Sequence, residues 1–300
     1  MSITSQYTEP VTKGREYTSM LPRGTALVLE GGGVRAYYTA GVLEAFLEKG
    51  IMFPYIIGVS AGVGNALSYI SGQMGRNKTL LEKYTDRRYV GIGNLLKHGS
   101  IFGYDFIYGD VPGKHLFWDR EVYEKSKTRF LMGATDCRTA EAVWYEKHDL
   151  DDKFTAARAS CSVPYLAKIV KYRGRELLDG GIAAPIPIDQ SVKDGNSFHV
   201  IVLTRNANYT KRPLRYERLL TMYYRKYPRL AEALITRHDD YNRQITLCEE
   251  LEREGRALIL RPQLPLKVGR ITRDLKKILP LYDEGLEEGR EAVNKIIYRP

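Results

Sequence analysis

Two short apolar runs in the first quarter of the chain each end on a glycine-bearing loop and each lead into a helical pattern. No other feature restricts the fold as much. The run TALVLE (residues 25–30) stops at Gly31, Gly32 and Gly33. Residues 36–49 then carry Val42, Leu43, Phe46 and Leu47 at helical spacing, and Gly50 is a natural stop. A second run, YIIGVS (55–60), leads into a helix from Ala61 onward that contains Leu67 and Ile70. Strand, loop, helix, strand, turn, helix is a βαβα unit, and its right-handed crossover makes the two strands parallel. The expected fold class is α/β, with three layers (α/β/α) around a mostly parallel central sheet.

Further strands are expected at TRFLMGATD (128–136), EAVWYE (141–146), FHVIVLTR (198–205) and RALILRP (256–262). Residues 214–254 read as helical, with Pro228 marking a break. Leu219, Leu220, Met222, Leu230, Leu234, Ile245, Leu247 and Leu251 are the candidates for its buried face. The expected organisation is a polar leader over residues 1–24 and one domain over 25–300. Residues 207–254 form a basic helical insertion or C-terminal extension within it, because RALILRP needs a sheet to join.

Ser60 sits in GVSAG, a GxSxG turn between strand and helix. Such a turn forces the serine into a strained bend that lifts Oγ above the carboxyl end of the sheet. Gly58 and Gly62 keep side chains out of that bend. The loop GGGVRA (31–36) lies one βα unit earlier, at the same sheet edge. Its amides, from Gly31, Gly32 and Gly33, can face a developing negative charge, with Arg35 reinforcing the positive field. Gly31, Gly33 and Ala36 also fit a GxGxxA dinucleotide fingerprint, but the second strand ends in GVSAG and offers no carboxylate for a ribose.

A nucleophilic serine of the common triad type needs a histidine base. His199 begins a strand and so falls at the amino edge, opposite the elbow. His238 falls in the helical insertion, while His98, His115 and His148 lie in a middle region that reads as surface or structural. An aspartate in direct contact with the serine is the other solution. Asp179 stands in ELLDGGIAAPIPID, followed by Gly180 and Gly181, a pattern that also makes an ordinary turn. Asp136 and Asp189 lie near strand ends or loops but lack the glycine pair.

The window 205–229 holds eight Lys/Arg against the single acid Glu217, a large share of the chain's net charge of +10. Tyr209, Tyr216, Tyr223, Tyr224 and Tyr227 interleave with the charges, a composition suited to an anionic surface, phospholipid or nucleic acid, or to a solvated helix face. Cys137, Cys161 and Cys248 lie far apart and form no metal-ligand spacing, so no disulfide framework or metal is expected and a reducing cytoplasm is the default. The first twenty residues lack the apolar run of a signal peptide, and nowhere do about twenty apolar residues run together.

GGGVR, GVSAG and DGG, in this order, resemble the patatin-like phospholipase family. The likeness covers about residues 25–184, including RASCSVPYL (158–166), which is similar to the family's small-residue segment ahead of its aspartate. ILRPQLPLKVGR (259–270) and the helices after it resemble the end of bacterial intracellular members with a basic helical insertion. Ala36 departs from the family, where many members have glycine. The resemblance implies a Ser-Asp dyad of Ser60 and Asp179 and an oxyanion hole at Gly31 to Gly33 with Arg35 flanking. It also implies hydrolysis of phospholipid or lysophospholipid esters through an acyl-enzyme, with no cofactor. A non-catalytic lipid-binding or partner-binding protein on the same scaffold is the alternative. No nucleic acid partner is expected. The expected location is cytoplasmic, with peripheral contact to an anionic inner membrane face through Arg212, Arg215 and Arg218.

Overall fold

The computed structural model describes residues 7–9, 12–17, 21–263 and 267–298. Parts of the expected leader and three residues of the 259–270 stretch lie outside the described residues. The strands are β1 (Thr25–Leu29), β2 (Tyr55–Val59), β3 (Arg129–Asp136), β4 (Ala142–Glu146), β5 (Val170–Tyr172), β6 (Arg175–Asp179), β7 (Phe198–Val202) and β8 (Ala257–Leu260). The helices are α1 (Tyr37–Glu48), α2 (Ala61–Ile70), α3 (Arg76–Tyr84), α4 (Ile92–His98), α5 (Arg120–Lys125), α6 (Thr155–Ser160), α7 (Ile188–Lys193), α8 (Glu217–Tyr223), α9 (Pro228–Arg253) and α10 (Leu275–Ile297).

All eight strands form one sheet in the order β5-β6-β3-β2-β1-β7-β8, with β4 paired to β3 off this path. The strands from β3 through β2, β1 and β7 to β8 are parallel, and β4, β5 and β6 add antiparallel pairs at one side. RALILRP joins as β8, parallel to β7, after the chain has crossed over through α8 and α9. The α/β fold with a mostly parallel sheet is therefore present.

Strand alternation explains the three layers. Leu27 and Leu29 of β1, Ile56 of β2, and Val200 and Val202 of β7 pack on one face with Val42, Leu43 and Phe46 of α1, Leu67 of α2 and Val293 of α10. Ala26, Val28, Ile57 and Ile201 point to the other face, against Ile188 of α7 and Tyr241, Cys248 and Leu251 of α9. Each fully buried aliphatic or aromatic side chain of this kind stabilises the fold by about 1.5–3 kcal/mol. Among the described residues no helix is long and apolar enough to cross a membrane.

The basic segment corrects one expectation. Leu220, Leu230, Leu234 and Leu251 are buried as the helical period requires, but Leu219 and Met222 are exposed. The cause is a break of phase. The chain leaves the helix after Tyr223 and re-enters it at Pro228, so α8 and α9 present independent faces. Only Leu220 of α8 turns inward, to join Tyr224, Tyr227, Leu230 and Leu234 over Leu178 and Ile182.

Candidate active site

Ser60 links β2 to α2 with φ 54 and ψ −129, a conformation in which non-glycine residues are strained. The bend survives because its neighbours are small. A Cβ on Gly62 would stand 2.9 Å from the carbonyl oxygen of Leu29, and one on Gly58 would stand 3.2 Å from the backbone of Gly62. Ser60 is buried, and its amide donates to Ser160 Oγ at 2.8 Å.

Strand register brings the aspartate to the serine. Val59 of β2 pairs with Gly133 of β3, so Ser60 continues level with Ala134, and Ala134 pairs with Asp179 at the end of β6. Ser60 Oγ donates to Asp179 Oδ2 at 2.7 Å, and the Gly181 amide donates to Asp179 Oδ1 at 2.8 Å. The segment before β5 clamps this contact from behind. Asp179 N donates to the Ser162 carbonyl at 2.8 Å and Gly180 N to the Ser160 carbonyl at 3.1 Å. Burial pushes the Asp179 carboxyl above its ordinary range, while Ser60, the Gly181 amide, Arg237 and Arg270 pull it down.

The competing acids and bases are engaged elsewhere. Asp136 pairs with Arg175, and Asp189 with Arg243. His199 is fully buried against Ser191 at the amino edge, and His115 bonds Thr8. His98 and His148 are exposed. His238 lines the wider cavity described below, where its Nδ1 lies 3.0 Å from the Ile235 carbonyl. Among the described residues no histidine ring bonds Ser60 or Asp179.

Gly31 lies against the serine, since a Cβ there would meet Ser60 Cβ at 2.8 Å. Thr204 Oγ1 donates to the Gly31 carbonyl at 3.2 Å, and the buried carboxylate of Glu30 accepts from Thr204 N at 2.5 Å. Val34 N donates to the Arg270 carbonyl at 3.1 Å, which pins the chain near residue 270 onto the loop. The amides of Gly31, Gly32 and Gly33 donate to no acceptor among the described residues. Arg35 flanks this loop from inside the fold. It is buried, its Nε has no partner, and it lies outside the lining of both cavities at Ser60. Burial, then Arg205 and Arg270, lower its guanidinium to about 10. The cations whose fields reach Asp179 are Arg237 and Arg270, which have no spacing in the sequence that marks them.

Two cavities meet at Ser60, both lined mainly by apolar side chains, and the wider one adds a cationic rim. A narrow one, of about 100 Å³, runs among Leu67, Tyr104, Tyr108, Trp118, Phe154 and Cys161. The wider one, of about 490 Å³, holds Gly31, Gly32, Gly33, Asp179 and Gly181 and is rimmed by Lys211, Arg212, Arg237 and Arg270. A hydroxyl whose proton already points at a carboxylate, beside free amides and an apolar channel, is suited to attack on an acyl group.

A family model described as Patatin-like phospholipase matches residues 27–192, and one described as a domain of unknown function (DUF6363) matches residues 227–298. Protein YjjU of Escherichia coli is 26% identical over 190 residues, covering 61% of this chain and 52% of its own length. An NTE family protein of Mycobacterium tuberculosis is 28% identical over 177 residues, covering 57% of this chain and 46% of its own. Protein YqhO of Bacillus subtilis is 29% identical over 192 residues, covering 54% and 64%. The chain thus spans about half the length of the first two relatives, 52% and 46%. The crystal structure of VipD from Legionella pneumophila aligns with a TM-score of 0.45 at 12% identity, covering 96% of this chain and 71% of that one.

Proposed function

The chain belongs to the patatin-like phospholipase family, and on that premise we propose that it is a serine acyl hydrolase. It cleaves carboxylic esters of phospholipids or lysophospholipids through a dyad of Ser60 and Asp179. The observation that carries this reading is the 2.7 Å hydrogen bond from Ser60 Oγ to Asp179 Oδ2.

Asp179 Oδ2 takes the hydroxyl proton as Ser60 Oγ bonds to the ester carbonyl carbon. The carbonyl oxygen becomes the oxyanion and turns toward the amides of Gly31, Gly32 and Gly33, each well-aimed donor lowering the barrier by about 3 kcal/mol. When the tetrahedral intermediate collapses, the carbon–oxygen bond to the leaving alcohol breaks and the proton on Asp179 passes to that alcohol. Water then repeats the sequence on the acyl-enzyme and frees the fatty acid. The acyl chain lies in the narrow aromatic cavity, which keeps water from the reacting centre. A carboxylate is a weak base for a serine hydroxyl, and burial, which raises the Asp179 pKa, narrows the mismatch. Arg35 acts from behind the loop rather than on substrate, through its charge on Glu30.

The protein is a cytoplasmic one in this reading, meeting an anionic membrane peripherally through Arg212, Arg215 and Arg218. A fluorophosphonate probe tests the reaction itself: it should label Ser60 in the wild type, and Ser60→Ala and Asp179→Ala should each abolish turnover of a p-nitrophenyl ester. Turnover surviving in both variants would falsify the dyad. Lipid binding by a wild type that takes no label would favour the non-catalytic alternative.

A further inference from the structure

The wide cavity carries more positive charge than ester cleavage needs. Lys211, Arg212, Arg237 and Arg270 all line it, and none of the four makes an ion pair among the described residues. Two other arginines are ion-paired by contrast: Arg243 of α9 pairs with Asp189 at 2.9 Å, and Arg261 pairs with Glu249 at 3.0 Å. The acids whose fields reach the cluster are Asp179, already bonded by Ser60 and Gly181, and Glu30, already bonded by Thr204.

Three of the four cations are held from different elements. Arg237 Nε, on α9, donates to the Gly181 carbonyl at the DGG turn. The Arg270 carbonyl accepts from Val34 N, so this residue stands at the glycine loop. Lys211 is gripped through its backbone, its amide donating to Asn242 Oδ1 at 2.9 Å and its carbonyl accepting from Asn242 Nδ2 at 3.1 Å. Burial, then the charges of Arg237 and Arg270, push the Lys211 ammonium down to about 7, with Glu30 opposing them.

Resting on the acyl-hydrolase reading, we propose that Lys211, Arg237 and Arg270 form a phosphoryl-binding subsite that selects acyl lipids with a net-anionic head group over zwitterionic and neutral ones. Ser60 lines both cavities, so an acyl chain in the apolar one leaves the alcohol side of the ester in the cationic one. In a glycerophospholipid that side carries the phosphate only a few bonds from the ester. A choline or ethanolamine ammonium would find no uncommitted carboxylate in this cavity, whereas a phosphate monoester would receive charge-assisted hydrogen bonds from a guanidinium fork.

The test uses the purified full chain at constant ionic strength, with substrates below their aggregation limits so that vesicle adsorption does not contribute. Fatty acid release is compared among three lipids of one acyl chain: lysophosphatidic acid, lysophosphatidylcholine and monoacylglycerol. The expected kcat/KM for the phosphate monoester exceeds that for the neutral lipid by at least about 10-fold, one well-made charged contact. Lys211→Gln and Arg270→Gln should each shrink that ratio, and Arg270→Lys should keep most of it. Arg270 is exposed, so its replacement does not endanger folding.

Hydrolysis of all three lipids at equal efficiency overturns the subsite and leaves the hydrolase standing; hydrolysis of none of them, nor of a p-nitrophenyl ester, overturns the hydrolase. Inorganic phosphate is the separate arm. If it raises the wild-type melting temperature but not that of Arg270→Gln, while the three lipids are cleaved equally, the site holds free phosphate and the head-group assignment fails.

Discussion

Ser60 Oγ reaches Asp179 Oδ2 at 2.7 Å across 119 residues of sequence, and the contact is made by strand register. In the proposed dyad the two groups act as one unit, so their losses should not add. Ser60→Ala and Asp179→Asn are each expected to lower kcat by about 10³–10⁴-fold, and the double variant to be no slower than the worse single one. A double variant slower by the product of the two factors would show independent roles.

The buried carboxyl also predicts a cost in stability. Its folded pKa lies above the unfolded value of about 3.9, so the ionised form is worse off folded than unfolded. That penalty is present at neutral pH and vanishes once both states are protonated. Asp179→Asn should therefore melt higher than wild type at pH 7, with the gap closing toward pH 3. A lower melting temperature at pH 7 would mean that the hydrogen bonds to Ser60 and Gly181 outweigh desolvation. In the wild type, kcat/KM should fall on the acid side at a pH above the ordinary aspartate range of about 4.

The narrow cavity predicts a change of chain-length preference. Gly64 lines it one turn into α2, and a Cβ there meets only Tyr108 Oη, at 3.8 Å. Gly64→Leu should fit the helix while filling the channel beside Ser60. Hydrolysis of a dodecanoyl ester relative to a butyryl ester should drop by about 100-fold, since the longer chain loses several methylene contacts of about 0.8 kcal/mol each. An unchanged ratio would place the acyl chain elsewhere.

What the sequence revealed followed from local signals. Leu27, Leu29, Ile56 and Ile57 mark their strands by apolar runs, and glycines mark both loops because backbone must approach backbone there. The hairpin of β5 and β6 gave no such signal. Lys171, Arg173, Arg175 and Glu176 interrupt any apolar run, because short strands at the side of a sheet keep charged side chains in water. Leu219 and Met222 lie exposed although the apolar period places them inward, because a helical period carries no information across a break. Ser160 hid among small residues, and its link to Ser60 N exists only once α6 packs behind the elbow. Lys211, Arg237 and Arg270 share no spacing at all; three separate elements bring them to one cavity.

His199 should make the protein acid-sensitive. The ring is fully buried, Nδ1 lies 3.1 Å from Ser191 Oγ, Nε2 has no partner, and burial lowers its pKa to about 4. The unfolded imidazole takes a proton below about 6.5, which the folded one refuses until about 4, so stability falls as pH drops through that window. The total loss is about 3 kcal/mol. His199→Asn, which keeps a partner for Ser191, should flatten the dependence of unfolding free energy on pH between about 6.5 and 4. Parallel curves for the two proteins would remove His199 as the cause.

The exposed face of α8 combines charge with apolar surface, as the proposed membrane contact requires. Leu219, Met222 and Tyr223 are 58%, 66% and 63% exposed, and Arg212, Arg215 and Arg218 are exposed beside them. Tyr223 packs against Tyr165 at 5.0 Å between ring centroids, and Tyr165, Leu214 and Arg212 line the wide cavity, so this surface adjoins the site's mouth. Each arginine near an anionic bilayer contributes about 1 kcal/mol, screened by salt, whereas insertion of Leu219 and Met222 is insensitive to salt. Arg215→Gln with Arg218→Gln should weaken adsorption to phosphatidylglycerol vesicles by about 30-fold at low salt and flatten its salt dependence. Leu219→Ser with Met222→Ser should weaken adsorption at every salt concentration and leave the slope in place. None of these four residues lines either cavity, so hydrolysis of a monomeric p-nitrophenyl ester should match wild type in both variants. Equal vesicle binding by wild type and both variants would refute the contact, because the two variants between them remove the charge and the apolar surface on which it depends.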